Sequence, residues 1–329
     1  MTDTLPQNNA KLVVVMPAHN AEATVGDCLD ALIAAGFVAG DITVVDDGSR
    51  DRTAELAEAR GVNMIRNAVA QRPAEARNIG AAAAGGDIIL FVDSDVCVHA
   101  DVRAKILEIM NNSDISGVIG SYDDAPRSAS TVGRYRNLLH AHTHQNAAGE
   151  VPTFWTGLGA LRREAFDAVG GLRSDWENIE DVELGLKVTE NGGRIQLDPR
   201  LKGKHLKDWS LASMFKTDLF GRAVPWTRLL RSGRMPMGVL STTLDKRVSA
   251  GAIAVGGLSV LASSIWPAAL GLALLCLLVF IGANAALFTY LAQTGGAWFA
   301  VRCVPLHAVH HLAGLLGYAK VVLFRGSAN

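Results

Sequence analysis

The chain lacks any surplus of charge: 31 lysines and arginines face 32 aspartates and glutamates over 329 residues. Binding a polyanion draws on an excess of positive charge, so no nucleic-acid partner is expected. Cysteine is scarce as well. The four present, Cys28, Cys97, Cys276 and Cys303, form no CxxC pair and no metal-ligand spacing. That excludes a disulfide framework or a zinc knuckle and fits buried free thiols in a reducing compartment. No signal-peptide core is expected, because "MTDTLPQNNAKLVVVMPAHN" is polar and then apolar for only a few residues. The glycine-rich phosphate loops are missing too. No GxGxxG follows the first apolar run and no GxxxxGKS/T occurs, which leaves no dinucleotide site and no P-loop.

Another absence is regional. From Val248 to Leu291 there is no charged residue, and a helix needs about 20 apolar residues to cross a bilayer. Spans are expected at about 248–265 and 268–291, turning at Trp266-Pro267, where Trp suits the interface. A fully buried soluble hairpin is the alternative. A third apolar segment, about 297–324, carries Arg302, His307, His310, His311 and Lys320, which fits either an interfacial helix or a packed third span. Its three histidines share one helix face and are expected to form a polar interfacial or inter-helix surface rather than a metal site.

Immediately before the apolar run, eleven basic residues between Arg200 and Arg247 are opposed only by Asp208, Asp218 and Asp245. A block of this kind beside spans favours the anionic cytoplasmic leaflet by about 1 kcal/mol per residue. The organisation expected is a polar tail (1–10), a folded domain (11–205) facing the cytoplasm, a basic juxtamembrane segment (206–247) and a multi-pass inner-membrane region (248–329).

Residues 11–200 alternate between two periodicities. "KLVVVMP", "DITVVDD", "GVNMIRN" and "DIILFVD" read as buried strands, and helical patterns separate them. Continuous β-branched runs between helices indicate a parallel sheet covered on both faces, and ligands of such sheets sit at the carboxyl ends of the strands. At those ends stand Pro17-Ala18-His19-Asn20, Asp46-Asp47-Gly48-Ser49 and Asp93-Ser94-Asp95. Carboxylates at the ends of buried strands are costly, so they need a purpose. Mg²⁺ or Mn²⁺ supplies one, since it prefers hard oxygen ligands, typically one or two carboxylates plus substrate phosphate oxygens. The D-x-D spacing turns Asp93 and Asp95 to the same side of an extended chain.

Five segments, taken in order, resemble family 2 glycosyltransferases: "VVVMPAHNAEATVGDCLDAL", "ITVVDDGSRDRT", "AEARNIGAAAAGGDIILFVDSDV", "GALRREAFDAVGGL" and "ENIEDVELGLKV". The resemblance covers roughly residues 11–200. It implies the α/β GT-A fold, a Rossmann-like, mostly parallel sheet with helices on both faces, here followed by C-terminal transmembrane or interfacial helices. It also implies a nucleotide-sugar donor (UDP-, GDP- or dTDP-linked) and a Mg²⁺ or Mn²⁺ cofactor.

Site roles follow from the same resemblance. Pro17, His19, Asn20 and Glu22 would line the nucleotide pocket, and Asp46 and Asp47 would recognise base and ribose. Arg72 and Arg77 would lie near base or diphosphate. Asp93 would reach ribose or metal, Asp95 would bind the metal directly, and His205 is a candidate further ligand. Trp155 and Gly157 would form the floor under the donor sugar. From the pair Glu180-Asp181, Asp181 would be the catalytic base of an inverting transfer to a lipid or lipid-linked acceptor.

The Q/RxxRW motif of processive polysaccharide synthases is missing, with only a loose echo from Arg222 to Trp226, so single-sugar transfer is expected. A nucleotidyltransferase would carry a GGxGTRL-like loop where this chain has PAHNAEAT. A catalytically silent scaffold would not need Asp93, Asp95, Glu180 and Asp181.

Overall fold

The computed structural model describes residues 10–176, 178–235 and 243–323. The chain divides into two units: Met1–Arg127 with His144–Lys207, and Ser128–Thr143 with Asp208–Asn329. Residues 128–143 fall inside the sequence span expected of the α/β domain, yet they pack with the C-terminal unit.

The first unit begins with β1 (Leu12–Ala18), α1 (Val25–Ala34), β2 (Ile42–Asp46), α2 (Thr53–Glu58), β3 (Asn63–Arg66) and α3 (Pro73–Ala83). It continues through β4 (Ile88–Val92), β5 (Val96–Val98), α4 (Val102–Met110) and β6 (Gly117–Tyr122). Helix α5 (Thr131–Gln145) then runs through the second unit as far as Thr143. The first unit resumes with β7 (Gly149–Glu150), β8 (Leu158–Arg162), α6 (Arg163–Ala168), α7 (Glu180–Glu190) and β9 (Ile195–His205).

The strands form one sheet in the order β3-β2-β1-β4-β8-β6-β9-β5, with β7 also on β9. The four N-terminal strands are mutually parallel, and every residue of β2 and β4 is buried. Their unbroken apolar runs are the signature of strands covered on both faces. Helix α3 opens on Pro73, whose fixed φ suits the first turn, and lies close over the sheet because Gly80 has no side chain: a Cβ there would stand 2.5 Å from Val15.

The second half of the sheet is mixed. Strand β8 enters antiparallel between β4 and β6. Its sequence, "LGALR", lacks the continuous β-branched run of β2 and β4 and does not announce a direction. The long β9 runs parallel to β6 and antiparallel to β5, placing His205 opposite Val96. Below the sheet, Phe91 meets Phe154 edge-on at 6.3 Å and Phe166 at 5.6 Å within the main apolar core.

The second unit holds α8 (Leu211–Lys216), a π-helical turn (Thr217–Ala223), α9 (Val224–Arg231), α10 (Leu244–Ala262), α11 (Ala269–Ala283), α12 (Ala285–Gly295) and α13 (Ala297–Leu323). The turn at Trp266-Pro267 separates α10 from α11. Of the two expected spans, 248–265 is an unbroken helix as far as Ala262, whereas 268–291 is broken into two helices. Helix α10 starts on Asp245-Lys246-Arg247, and the second segment is bent by 68° between α11 and α12. Asn284 makes the break: its side-chain amide donates to the Phe280 carbonyl at 2.9 Å and to Ser249 Oγ at 2.7 Å, local bonds that compete with the helix ladder. Among the described residues, α13 alone is long and apolar enough to cross a membrane, or two spans exist if the bent pair counts as one. The histidine face of α13 turns into the unit. His307 bonds to Tyr135 and to Asn284 Oδ1, both at 2.8 Å, and lies 3.3 Å from His311.

One glycine of the first unit gives a direct packing test. A Cβ on Gly185, in α7, would lie 2.1 Å from the Phe154 backbone nitrogen. Gly185→Ala should therefore cost about 1–3 kcal/mol and lower the urea unfolding midpoint. Gly85→Ala, with nothing within 4 Å, should leave that midpoint unchanged.

Candidate active site

The carboxyl ends of β1, β2 and β4 carry the polar residues expected there. Asp46 and Asp47 are buried at 5% and 7% exposure. Asp46 accepts from the Ser49 amide at 3.0 Å, and Asp47 accepts from Asn67 Nδ2 at 2.8 Å and the Gln71 amide at 3.0 Å. His19 Nδ1 lies 2.8 Å from the Asp47 carbonyl, and Pro17, the penultimate residue of β1, pairs with Val45.

The loops after β1 and β2 are laced together. The Asn20 amide donates to Ser49 Oγ at 2.8 Å and its side-chain oxygen accepts from the Arg50 amide at 2.9 Å. Glu22 repeats the pattern with Asp51 and Arg52, both at 3.1 Å. Asn20 holds a positive φ of 49°, a conformation Asn tolerates better than most side chains. Arg72 departs from this group, with its guanidinium donating to the Ser174 carbonyl.

At the end of β4 the two aspartates part company. Asp93 accepts from Arg77 Nη2 at 2.7 Å, whereas Asp95 faces His205 Nε2 at 3.4 Å. Burial works to raise the Asp95 carboxyl, but the His205 imidazole and the Lys207 charge outweigh it and hold the group below the usual carboxylate range. Strand pairing fixes the partners: Val96 sits opposite His205, and the Asp95 carbonyl accepts from the Leu206 amide at 2.8 Å.

Arg77 is the hinge of the cluster. It is buried at 5% exposure, and its other terminal nitrogen donates to Glu180 Oε1 at 3.0 Å. Burial opposes its charge, yet Asp93, Glu180 and Asp181 together hold it firmly protonated. Glu180 Oε2 and Arg77 Nε have no hydrogen-bond partner among the described residues, an imbalance that native structures concentrate at functional sites.

Next to Glu180, the half-buried Asp181 accepts from the Val182 amide at 2.8 Å and from the amide and hydroxyl of Thr156 at 3.3 and 3.5 Å. Desolvation first, and then the charge of Glu180, push the Asp181 carboxyl up to about 7. A carboxyl tuned that way can exchange a proton near neutrality.

Gly157 and Trp155 lie beside the same cluster. The Gly157 carbonyl accepts from the Asp93 amide at 3.4 Å, and a Cβ on Gly157 would meet the Trp155 ring at 2.5 Å. Trp155 stands edge-on to Tyr122 at 4.9 Å, and Tyr122 stacks on His205 at 4.2 Å. Sequence reasoning missed Tyr122. Its position at the carboxyl end of β6 was the available signal, but a lone Tyr in "GSYDD" does not reveal a stack.

The cation question turns on donor chemistry. No group of three or more His, Cys, Asp or Glu side chains suited to a metal exists among the described residues. The converging pair is Asp95 with His205, because Asp93 is engaged by Arg77. One carboxylate and one imidazole do not cage an ion by themselves. They do fit a divalent cation that takes its remaining ligands from phosphate oxygens and water.

Residues 13–170 match the sequence model of Glycosyl transferase family 2. They belong to that family. An uncharacterized glycosyltransferase of Haemophilus influenzae is 28% identical over 192 residues, covering 54% of this chain and 62% of that protein. The Escherichia coli UDP-Glc:alpha-D-GlcNAc-diphosphoundecaprenol beta-1,3-glucosyltransferase WfgD is 29% identical over 126 residues, 37% of this chain and 49% of WfgD. The chain spans about half the length of the curated relatives it matches.

Among solved structures, the mannosyltransferase PcManGT of Pyrobaculum calidifontis, in complex with GDP-Man and Mn²⁺, superposes with a TM-score of 0.61 at 18% identity, covering 96% of this chain and 88% of that one. Glucosyl-3-phosphoglycerate synthase of Mycobacterium tuberculosis, in complex with Mn²⁺, UDP and its product, gives 0.51 at 22% identity, covering 69% and 81%. At such identities the likeness is one of fold, and the fold is GT-A. The family match ends before Glu180, Asp181 and His205, so their assignment rests on the geometry above.

The raised Asp181 carboxyl has a consequence for stability. Between about pH 4 and pH 7 the native state keeps a proton that the unfolded chain has released, so this group makes stability fall as pH rises through that window. Asp181→Asn should remove that dependence. At pH 8 the variant should be more stable than the parent by on the order of 2 kcal/mol, three units at about 1.36 kcal/mol each being a ceiling that partial exposure reduces. Below pH 4 the two should coincide in urea unfolding.

Proposed function

We propose that the chain is a metal-dependent, inverting glycosyltransferase that moves one sugar from a nucleoside-diphosphate donor to a lipid or lipid-linked acceptor at the cytoplasmic face of a membrane. The observation that carries the reading is the Arg77 bridge from Asp93 to Glu180, which ties the strand end leading to the Asp95–His205 pair to a carboxyl, Asp181, raised to about 7. The nucleotide would lie along Pro17, His19, Asn20 and Glu22, with Asp46 and Asp47 toward base and ribose and the sugar over Trp155 and Gly157.

The chemistry then follows from the residues. Asp181, ionised, takes the proton of an acceptor hydroxyl as that oxygen forms its bond to the anomeric carbon. The bond from that carbon to the diphosphate breaks on the opposite face, inverting the configuration. Mg²⁺ or Mn²⁺ held by Asp95 and His205 would stabilise the charge on the leaving diphosphate. Arg77 keeps Asp93 and Glu180 in place, and Glu180 keeps its neighbour basic. If the acceptor is a phosphate, it arrives deprotonated and Asp181 matters less.

Three observations support the acceptor class: the apolar α13, the exposed apolar surface of α10 and α11, and the basic block before them. WfgD, by its name, acts on a diphosphoundecaprenol-linked sugar. Several relatives are poly-beta-1,6-N-acetyl-D-glucosamine synthases, but the missing Q/RxxRW motif favours a single transfer here.

A thermal-shift screen of UDP-, GDP- and dTDP-sugars with Mn²⁺ should yield one donor that raises the unfolding temperature. With that donor, Asp95→Asn should lose the metal-dependent shift. Asp181→Asn should keep the shift and lose turnover by about a hundredfold or more; full turnover would remove the base assignment unless the acceptor is a phosphate. The full chain should float with vesicles containing anionic lipid and less with neutral ones. A chain that stays in the soluble fraction with both would refute the membrane reading.

A further inference from the structure

We propose that Tyr122 is a positioning residue for the cation site, holding the His205 imidazole in the one orientation that turns Nε2 toward Asp95. The inference rests on the reading of Asp95 and His205 as the cation-binding pair. It adds a residue from a different strand, whose ring contacts are with His205 and Trp155.

The two rings are nearly coplanar in direction, 8° apart, with centroids 4.2 Å from each other. Both side chains are buried, at 7% and 6% exposure. Strand register produces the stack. Tyr122, the last residue of β6, pairs with Gly203 of β9. Gly203 carries no side chain, the place of its Cβ being taken by Val96 Cγ1 at 2.6 Å, and His205, two residues on, projects from the same face of the strand. The phenol ring therefore lies over the imidazole rather than over its own partner.

Trp155 braces the arrangement, standing at 82° to the Tyr122 ring, and His144 stands at 81° to Trp155 while bonding to the Gly120 carbonyl at 3.0 Å. The chain of rings runs from the sheet to the sugar floor and ends on His205.

The physical argument concerns rotation about the imidazole's last side-chain torsion, which is broad for His. Turning the ring out of its plane would take Nε2 away from the Asp95 carboxylate, 3.4 Å off. A parallel ring at stacking distance blocks that turn without contributing a ligand atom. Outer residues that orient a metal-binding histidine are worth 10–100-fold in metal affinity.

The test is a titration of the full chain with Mn²⁺ alone, following free Mn²⁺ by electron paramagnetic resonance. Tyr122→Leu should weaken Mn²⁺ binding about tenfold, while Tyr122→Phe, which keeps the ring, should stay within about twofold of the parent. Unchanged affinity in Tyr122→Leu overturns the proposal, provided His205→Ala has lost binding. Unchanged affinity in His205→Ala overturns the ligand reading beneath it instead.

Should Tyr122→Leu fail to fold, proton NMR of the parent chain decides. With the peaks assigned by their loss in His205→Gln, the His205 carbon-bound protons should be shifted upfield by the phenol and should stay so in Tyr122→Phe. Unshifted protons in the parent overturn the proposal.

Discussion

Arg77 spends its whole guanidinium inside the protein, one nitrogen on Asp93 at the end of a strand and another on Glu180 at the start of a helix. Burying Arg77 and Glu180 costs several kcal/mol per ion before any attraction is counted, and removing a partner strands the charge that remains. The loop bearing Asp95 and the helix bearing Asp181 are therefore not independent parts. Each is held by the shared Arg77 guanidinium, which is the counter-charge for both carboxylates, and the raised carboxyl of Asp181 follows first from its burial and then from the charge of Glu180. The cluster makes poor sense as a means of stabilisation alone. It makes good sense as a way to tie the strand end that leads to Asp95 to the helix start that carries Asp181, the two groups proposed above as cation ligand and base.

The first half of the fold was legible in the residues because its signals are local. Buried parallel strands print continuous β-branched runs, Pro73 marks a helix start, and acidic residues at three successive strand ends point to one rim. The structure places β1, α1, β2, α2, β3, α3 and β4 close to where those signals fall. Beyond residue 110 the signals fade. Strand β8 has no β-branched run, and its antiparallel entry depends on which neighbours accept it rather than on its own sequence. Tyr122 and Arg77 owe their roles to partners 83 and 103 positions away, a distance at which periodicity carries no information.

The C-terminal unit shows the opposite failure. Its composition was plain, but composition does not count helices. Asn284 interrupts an otherwise uncharged run, and its hydrogen bonds to Ser249, Phe280 and His307 tie three helices at the point where the chain bends. A neutral amide contributes nothing to a charge tally, so the run reads as an unbroken span. The histidines of α13 are the other half of the same device. They are polar groups placed where an apolar unit needs internal partners, which is why they face inward as an inter-helix surface.

The cross-bonding of the loops after β1 and β2 bears on how a nucleotide would be recognised. Asn20 and Glu22 exchange backbone and side-chain bonds with Ser49, Arg50, Asp51 and Arg52, so the conformation of these two loops is set by the fold itself. Little freedom is left there for a ligand to freeze, and freezing is among the larger costs of association. For the nucleotide proposed above, discrimination among bases would then be a matter of rigid shape: a purine and a pyrimidine would meet the same unyielding edge, and the one that does not fit could not remould it.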